Sequence, residues 1–415
     1  MNQKRNTTLR STWKLVLATL FFAANAGCYL SHQRSSDGGV SDARPDPDAR
    51  VDAGADAGRD AGPTTCCTNW RFERRVGLDA FPDRETVTPR LILLGGIPAV
   101  VVTGPDDPVG PSGAYLVRLS RTLATQSEAQ PVTSGSFTWG QPVSTGDTGD
   151  SLAVCWGTDT GDVVSIYDPM GRPVLGPVVM DTAARSPCID GAFSAGHIAY
   201  VYASRAADGS DVARVRILDG MTLASRATVD LPVTGDSFLA SLVALSDGFA
   251  VAITGTDTRV VVFDTAGEVR GKTRTGPSRR VRLVLGRGGL QLLRVFERDI
   301  APGRREDVWT LELFDAAGST LPALAPLREL DAFEPSPSPS FAAATNRCGA
   351  PILGTNTPSL VHVLPTELSD RLAPSATGPI RGDTSVLVLD DDAYIAFSSG
   401  SPESRVQIDH WVCGD

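Results

Sequence analysis

The residues of this 415-residue chain with the most chemical capacity are seven cysteines, four histidines and acids that recur at turn positions. The cysteines are Cys28, Cys66, Cys67, Cys155, Cys188, Cys348 and Cys413. No two of them stand in a C-x-x-C spacing, so a zinc knuckle or a thioredoxin-type couple has no support in the sequence. Setting Cys28 aside leaves an even six, enough for three disulfides in an oxidising compartment. Cys155, inside the apolar run SLAVCWG, also reads as a simple buried thiol. The histidines, His32, His197, His362 and His410, fall in different segments and read as individually satisfied or surface groups. Asp390, Asp391 and Asp392 fall in a hairpin turn, where a short carboxylate bonds to local backbone.

Short motif matches dissolve on their spacing. Gly267-Glu-Val-Arg-Gly271-Lys272-Thr273 is one residue too short for a phosphate loop and lies in a strand-turn-strand context. Arg381-Gly382-Asp383 opens a strand and reads as backbone rather than as an adhesion triplet. There is no G-x-S-x-G elbow, no H-E-x-x-H and no sialidase-type Asp box. Trp70, Trp139, Trp156, Trp309 and Trp411 read as core rather than as a carbohydrate platform. The expectation is therefore no catalytic residue, no metal and no cofactor.

Charge narrows the partners. A net charge of −10 argues against a nucleic-acid binder, which needs a basic face to displace counterions from phosphate. With 41% apolar residues there is material for a large core, yet no apolar run reaches the 18 residues of a membrane span.

The chain begins with an address. Lys4, Arg5, Arg10 and Lys14 precede the apolar stretch LVLATLFFAA, without an acid, in the pattern of a secretory signal over residues 1–27. Ala26-Gly27-Cys28 resembles the end of a bacterial lipobox, which would make Cys28 the lipid-bearing N-terminus. The competing reading is cleavage after Ala24-Asn25-Ala26, leaving a soluble secreted protein. Residues 28–65 are rich in Asp, Ala, Gly and Pro and hold too little apolar surface to order themselves, so they read as a solvated tether. A lipid Cys followed by such a tether resembles surface or periplasmic lipoproteins of myxobacteria and related bacteria. That resemblance implies an exported outer-membrane lipoprotein facing periplasm or cell surface, held to the membrane by its lipid alone.

Residues 66–415 are expected to be all-β. Apolar or alternating runs are punctuated by Gly, Asp and Pro, and no helical period is sustained. VVSIYDPMGRPVLG, VRILDGMTLASRA, VVVFDTAGEVRG and TLELFDAAGSTLP are self-similar and end their strands at Asp168, Asp219, Asp264 and Asp315. Weaker copies extend the series to seven units of about 50 residues each, the length of a four-stranded blade. The expectation is a seven-bladed β-propeller of four-stranded antiparallel blades. The last unit lacks an outer strand, which TNWRFERRVGLDAF, following Cys67, can supply from the other end of the domain. A Cys413 bridge to Cys66 or Cys67 would lock that seam, Cys155 with Cys188 is a second pair, and Cys348 takes the remaining partner. The hydrophobic strand leading to a Y/F/L-D-x-x-G turn, as in Tyr167-Asp168-Pro169-Met170-Gly171, resembles bacterial β-propeller repeats.

The hairpins between second and third strands carry Asp159, Asp162, Asp208, Asp211 and Asp257, a candidate binding rim, with turn chemistry and solubility as the plainer reading. The function expected from these features is a non-catalytic, lipid-anchored cell-envelope scaffold that binds an envelope protein or a polysaccharide. The alternative is a propeller-type glycan hydrolase or lyase with acids in the central funnel.

Overall fold

The computed structural model describes residues 70–78, 88–104, 113–133, 140–146, 149–233, 238–286, 289–315, 328–333, 341–345, 351–355, 361–363, 380–390, 392–399 and 406–413. Cys28, Cys66, Cys67 and Cys348, the signal segment and the tether lie outside them. The described chain is a succession of antiparallel strands opened by β1 (Trp70–Leu78). One sheet follows as β2 (Thr88–Leu94), β3 (Ile97–Gly104), β4 (Gly113–Arg118) and β5 (Gln130–Pro131). The next holds β6 (Gly140–Thr145), β7 (Ser151–Thr158), β8 (Gly161–Tyr167) and β9 (Pro173–Asp181). A third holds β10 (Asp190–Ser194), β11 (His197–Arg205), β12 (Asp211–Asp219) and β13 (Ser225–Pro232). A fourth holds β14 (Ala240–Leu245), β15 (Gly248–Ile253), β16 (Thr258–Asp264) and β17 (Val269–Thr275). The fifth holds β18 (Arg280–Gly286), β19 (Gly289–Ala301), β20 (Arg304–Phe314) and β21 (Arg328–Phe333). A shorter sheet holds β22 (Phe341–Thr345), β23 (Pro351–Thr355) and β24 (Val361–Val363). The last sheet runs β25 (Ile380–Leu389), β26 (Asp392–Ser399), β27 (Val406–Cys413) and then β1.

The expected blade count needs correction. Among the described residues six blades have four strands, not seven; between the β18–β21 and β25–β27 sheets stands a three-stranded sheet. The physical reason is that the repeat was counted by its central hairpins, and a hairpin does not require a fourth strand. In this unit β24 is only three residues, and β22 is the small-residue run Phe-Ala-Ala-Ala-Thr.

The ring is closed by both ends of the domain. β1 pairs with β27 from Trp70↔Cys413 to Leu78↔Val406. Arg75 of β1 donates from Nε and Nη2 to both carboxylate oxygens of its cross-strand partner Asp409, at 2.5 and 2.7 Å, and stacks over Phe397. Cys413, opposite Trp70, is in a disulfide whose partner lies outside the described residues. Outer strands such as β13 and β17 are largely exposed, whereas β15 is buried throughout because neighbouring sheets cover both faces.

The recurring aspartates are turn residues. Asp168 Oδ1 accepts from the N–H of Met170 and Arg172, Asp219 Oδ1 from Met221 and Thr222, and Asp264 Oδ1 from Ala266 and Glu268. Gly171 and Gly267, with φ of +80° and +82°, complete two of these turns in a conformation that a side chain strains.

The innermost strand of each sheet is an edge, so some of its N–H groups have no ladder partner. Neighbouring sheets supply one. Leu91 N donates to Ser385 Oγ at 2.9 Å, Leu242 N to Asp190 Oδ2 at 2.9 Å, and Leu283 N to Ser241 Oγ at 3.1 Å. Arg90, Gln141, Asp190, Ser241, Arg282 and Ser385 occupy equivalent positions, four residues before the last pair of the inner hairpin, and all are fully buried. Arg282 Nη1 reaches past the intervening sheet to Asp190 Oδ2 at 3.0 Å and to Ser241 Oγ at 3.3 Å. Removing one member of a buried ion pair strands the other charge. Asp190→Ala is expected to cost about 3–5 kcal/mol in denaturant unfolding, and Asp190→Leu combined with Arg282→Met is expected to recover much of that loss.

Candidate functional site

Three groups of residues have the composition of a site, and the fold builds each differently. The first is the axial layer. Asp190 is its acid among the described residues; its Oδ1 accepts from Gly191 N at 3.0 Å, and its Oδ2 is taken by Leu242 and Arg282. Both partners of the Asp190–Arg282 pair have no exposed side-chain surface. Arg282 Nε and Nη2 have no hydrogen-bond partner. The layer therefore spends its polar groups on joining sheets.

The second group is the rim of hairpins joining second to third strands. Asp159 and Asp208 are exposed there, and Asp208 is held below the usual carboxylate range by the Ser210 hydroxyl and N–H. Asp211 is partly exposed and pairs with Arg185 at 2.8 Å and Arg205 at 3.8 Å. Asp257 faces Arg274 at 3.5 Å. The β19–β20 hairpin extends this end of the molecule as an exposed arm over residues 298–305. Its charges are interleaved: Arg298 pairs with Glu306 and Glu329, and Arg305 with Glu297 and Asp299. The rim is a zipper of opposite charges rather than an acidic field.

Asp162 is the exception, and its placement corrects the rim reading. It is 2% exposed, on a strand that is buried from its second residue onward. Its cross-strand partner is another acid, Asp181. Burial and then the Asp181 charge push the Asp162 carboxyl up to about 8. Asp181 feels burial too, which alone would raise it. The Ala183 N–H, Arg214 and Ser204 outweigh that and hold it low, with Arg214 Nη1 at 2.7 Å and Ser204 Oγ at 2.9 Å. Directly beside Asp162 lies the disulfide Cys155–Cys188, with Oδ2 3.8 Å from Cys188 Sγ and a Cα–Cα distance of 6.1 Å. Tyr202 packs in the same apolar cluster, and its buried hydroxyl has no hydrogen-bond partner.

His410 is oriented by Asp392, Nε2 to Oδ1 at 2.8 Å, and stacks on Tyr394 with ring centroids 4.9 Å apart. Its buried Nδ1 has no partner, so the pair holds an imidazole in place without aiming it at a nucleophile. His197 is a half-buried hairpin residue, far in sequence and in sheet order from His410. Trp70, Trp156, Trp309 and Trp411 are buried.

Comparison with known proteins adds the fold. The chain matches no protein-family model. It matches no curated protein sequence either. Among solved structures it is similar to hydrazine synthase of Kuenenia stuttgartiensis, at 13% identity and a TM-score of 0.50, over 74% of this chain and 91% of that one. The fold is a β-propeller. The propeller domain of the Trilobed protease from Pyrococcus furiosus is similar at 11% identity and a TM-score of 0.48, over 81% and 97% of the two chains. The WD40 propeller domain of Doa1 is similar at 13% identity and 0.43, over 82% and 97%. These propellers belong to proteins of unlike function, so the likeness extends to the fold and no further.

Asp162 makes stability depend on pH in a direction opposite to that of a salt-bridged acid. Below pH 4 the carboxyl is protonated whether folded or unfolded. Between pH 4 and 8 the unfolded chain has lost this proton while the folded chain retains it, so stability falls by up to about 1.4 kcal/mol per pH unit and levels off above 8. Asp162→Asn is expected to remove that slope. Denaturant midpoints of both proteins from pH 5 to 8 check it; parallel curves would contradict the assignment.

Proposed function

We propose that this propeller is a non-catalytic binding scaffold of the cell envelope, and that its working surface is the rim of second-to-third-strand hairpins together with the β19–β20 arm. The observation that carries this reading is the distribution of polar groups. Funnel chemistry needs an acid open to substrate, yet the axial Asp190 is fully buried and ion-paired. The rim presents exposed charge of alternating sign instead, at Asp159, Asp208, Asp211, Arg205, Arg298, Asp299 and Arg305. Alternating charge fixes register and rejects wrong partners more than it adds raw affinity. The chemistry that fits is a mixed-charge protein face or a zwitterionic or acidic polysaccharide.

The N-terminal features support display at a membrane. Acylation of Cys28 after removal of residues 1–27 would anchor the chain, and the Asp-rich segment 28–65 would hold the propeller off the surface over roughly 30–40 Å. β1 enters its sheet at the end opposite the rim, the end that also carries the Asp168 and Asp219 turns, so a tethered ring presents its rim outward.

Two experiments test the proposal. Cys28→Ser is expected to move the protein from the membrane to the soluble fraction and to abolish incorporation of labelled fatty acid; unchanged fractionation would contradict anchoring. A photo-reactive residue at position 159, 208 or 300 is expected to give discrete adducts in intact envelopes, and one at position 221, at the other end of the ring, none. Equal labelling from both ends would contradict the assignment of the surface.

A further inference from the structure

The Cys155–Cys188 disulfide and Asp162 form a cluster that the scaffold reading does not use. The three residues come from β7, from β8 and from the connection before β10, and all three are buried. Their ligating atoms all lie within 4.8 Å of one another. We propose that this joint is a redox-gated metal site, in which reduction of the disulfide lets the thiolates of Cys155 and Cys188 and the carboxylate of Asp162 take one thiophilic divalent cation, zinc.

The geometry suits that ion. With Zn–S near 2.3 Å and Zn–O of 2.0–2.2 Å, a tetrahedron has a sulfur-to-oxygen edge of about 3.6 Å, and Asp162 Oδ2 already stands 3.8 Å from Cys188 Sγ. The two Cα atoms, 6.1 Å apart, lie in the range of a disulfide. Rotation of the side chains suffices to separate the reduced sulfurs to about 3.8 Å, the corresponding S···S edge. Three protein ligands leave a fourth position, and Tyr202 brings an unpaired buried hydroxyl to the same cluster.

The surroundings explain why an acid is kept there. The charge that acts on Asp162 is Asp181 across the β8–β9 ladder, itself paired with Arg214, and the Asp162 charge in turn acts on the phenol of Tyr202. Burial beside a like charge disfavours a bare carboxylate there, a cost that a bound dication reverses. The disulfide and the metal would hold the same joint, between the β6–β9 and β10–β13 sheets, in two redox states. The connection 182–187, which leads into Cys188, is exposed at Thr182, Ala183 and Arg185.

The steps balance. A dithiol transfers two electrons and two protons to the disulfide and becomes a disulfide itself, leaving two cysteine thiols. The cation then displaces three protons, one from each thiol and one from the Asp162 carboxyl. In the assay a trialkylphosphine and one water replace the dithiol, and the phosphine leaves as its oxide.

The test uses the full chain with cobalt(II) as the spectroscopic probe and zinc as competitor. Phosphine-reduced protein is expected to bind one equivalent with a thiolate-to-cobalt charge-transfer band, which the oxidised protein lacks. Cys155→Ser and Cys188→Ser are expected to lose that equivalent. Asp162→Asn is expected to keep the band with affinity weakened at least about tenfold. A chain with Cys28, Cys66, Cys67, Cys348 and Cys413 all changed to Ser keeps only the proposed pair, and is expected to bind one equivalent after reduction. Retention of the full signal in Cys155→Ser, or its absence from the two-cysteine chain or from reduced wild type, would overturn the proposal.

Discussion

The structure depends on how its inner strands satisfy their free edges. A ring of separate sheets leaves each innermost strand with backbone donors that no ladder reaches. Here the next sheet's side chain accepts them: Ser385 for Leu91, Asp190 for Leu242 and Ser241 for Leu283. Each such bond is modest in net terms, yet a missing partner in a buried site costs about 1–3 kcal/mol. The arrangement couples sheets that are otherwise joined by apolar contact. Arg282 strengthens it by reaching past one sheet to the acid of another, so that three successive sheets share one buried network.

That constraint separates architecture from activity. An axial layer whose side chains join neighbouring sheets frees the rim and the β19–β20 arm to vary, since their exposed ion pairs contribute little to stability and are easily exchanged. The joint beside the Cys155–Cys188 disulfide is the opposite case: a buried carboxyl pushed up to about 8, a bridge between sheets and an unpaired phenol in one apolar cluster. Stability alone would favour an apolar residue at position 162, which marks the place as chemically distinct from the rest of the ring.

Much of the architecture was legible in the sequence for local reasons. Asp168, Asp219 and Asp264 bond to backbone two to four residues onward, so a turn motif of that kind repeats visibly. The strand-forming segment after Cys67 announced the closing strand β1, because the last unit visibly lacked its own. What escaped depends on distance. Arg90, Asp190, Ser241 and Ser385 each look like an ordinary polar residue flanking an apolar run, and only alignment of the hairpins on their turns shows that they share one layer. Asp162 follows the exposed turn at Asp159 so closely that the sequence groups them, yet β8 is buried on both faces from its second residue onward. The blade count failed where outer strands, which bury least and carry the weakest pattern, had to be inferred from hairpins.

The central claim is that the axis is a closed, hydrogen-bonded layer and not an open funnel. Native-state hydrogen exchange at the amides of Leu91, Leu242 and Leu283 tests it most directly, because these three N–H groups point to the layer and donate to side chains of neighbouring sheets. The account predicts that all three exchange only through global unfolding, with the same free energy as the buried amides of β15. Exchange as fast as that of the exposed hairpin amide of Gly209 would show that solvent reaches the axis, and would contradict it.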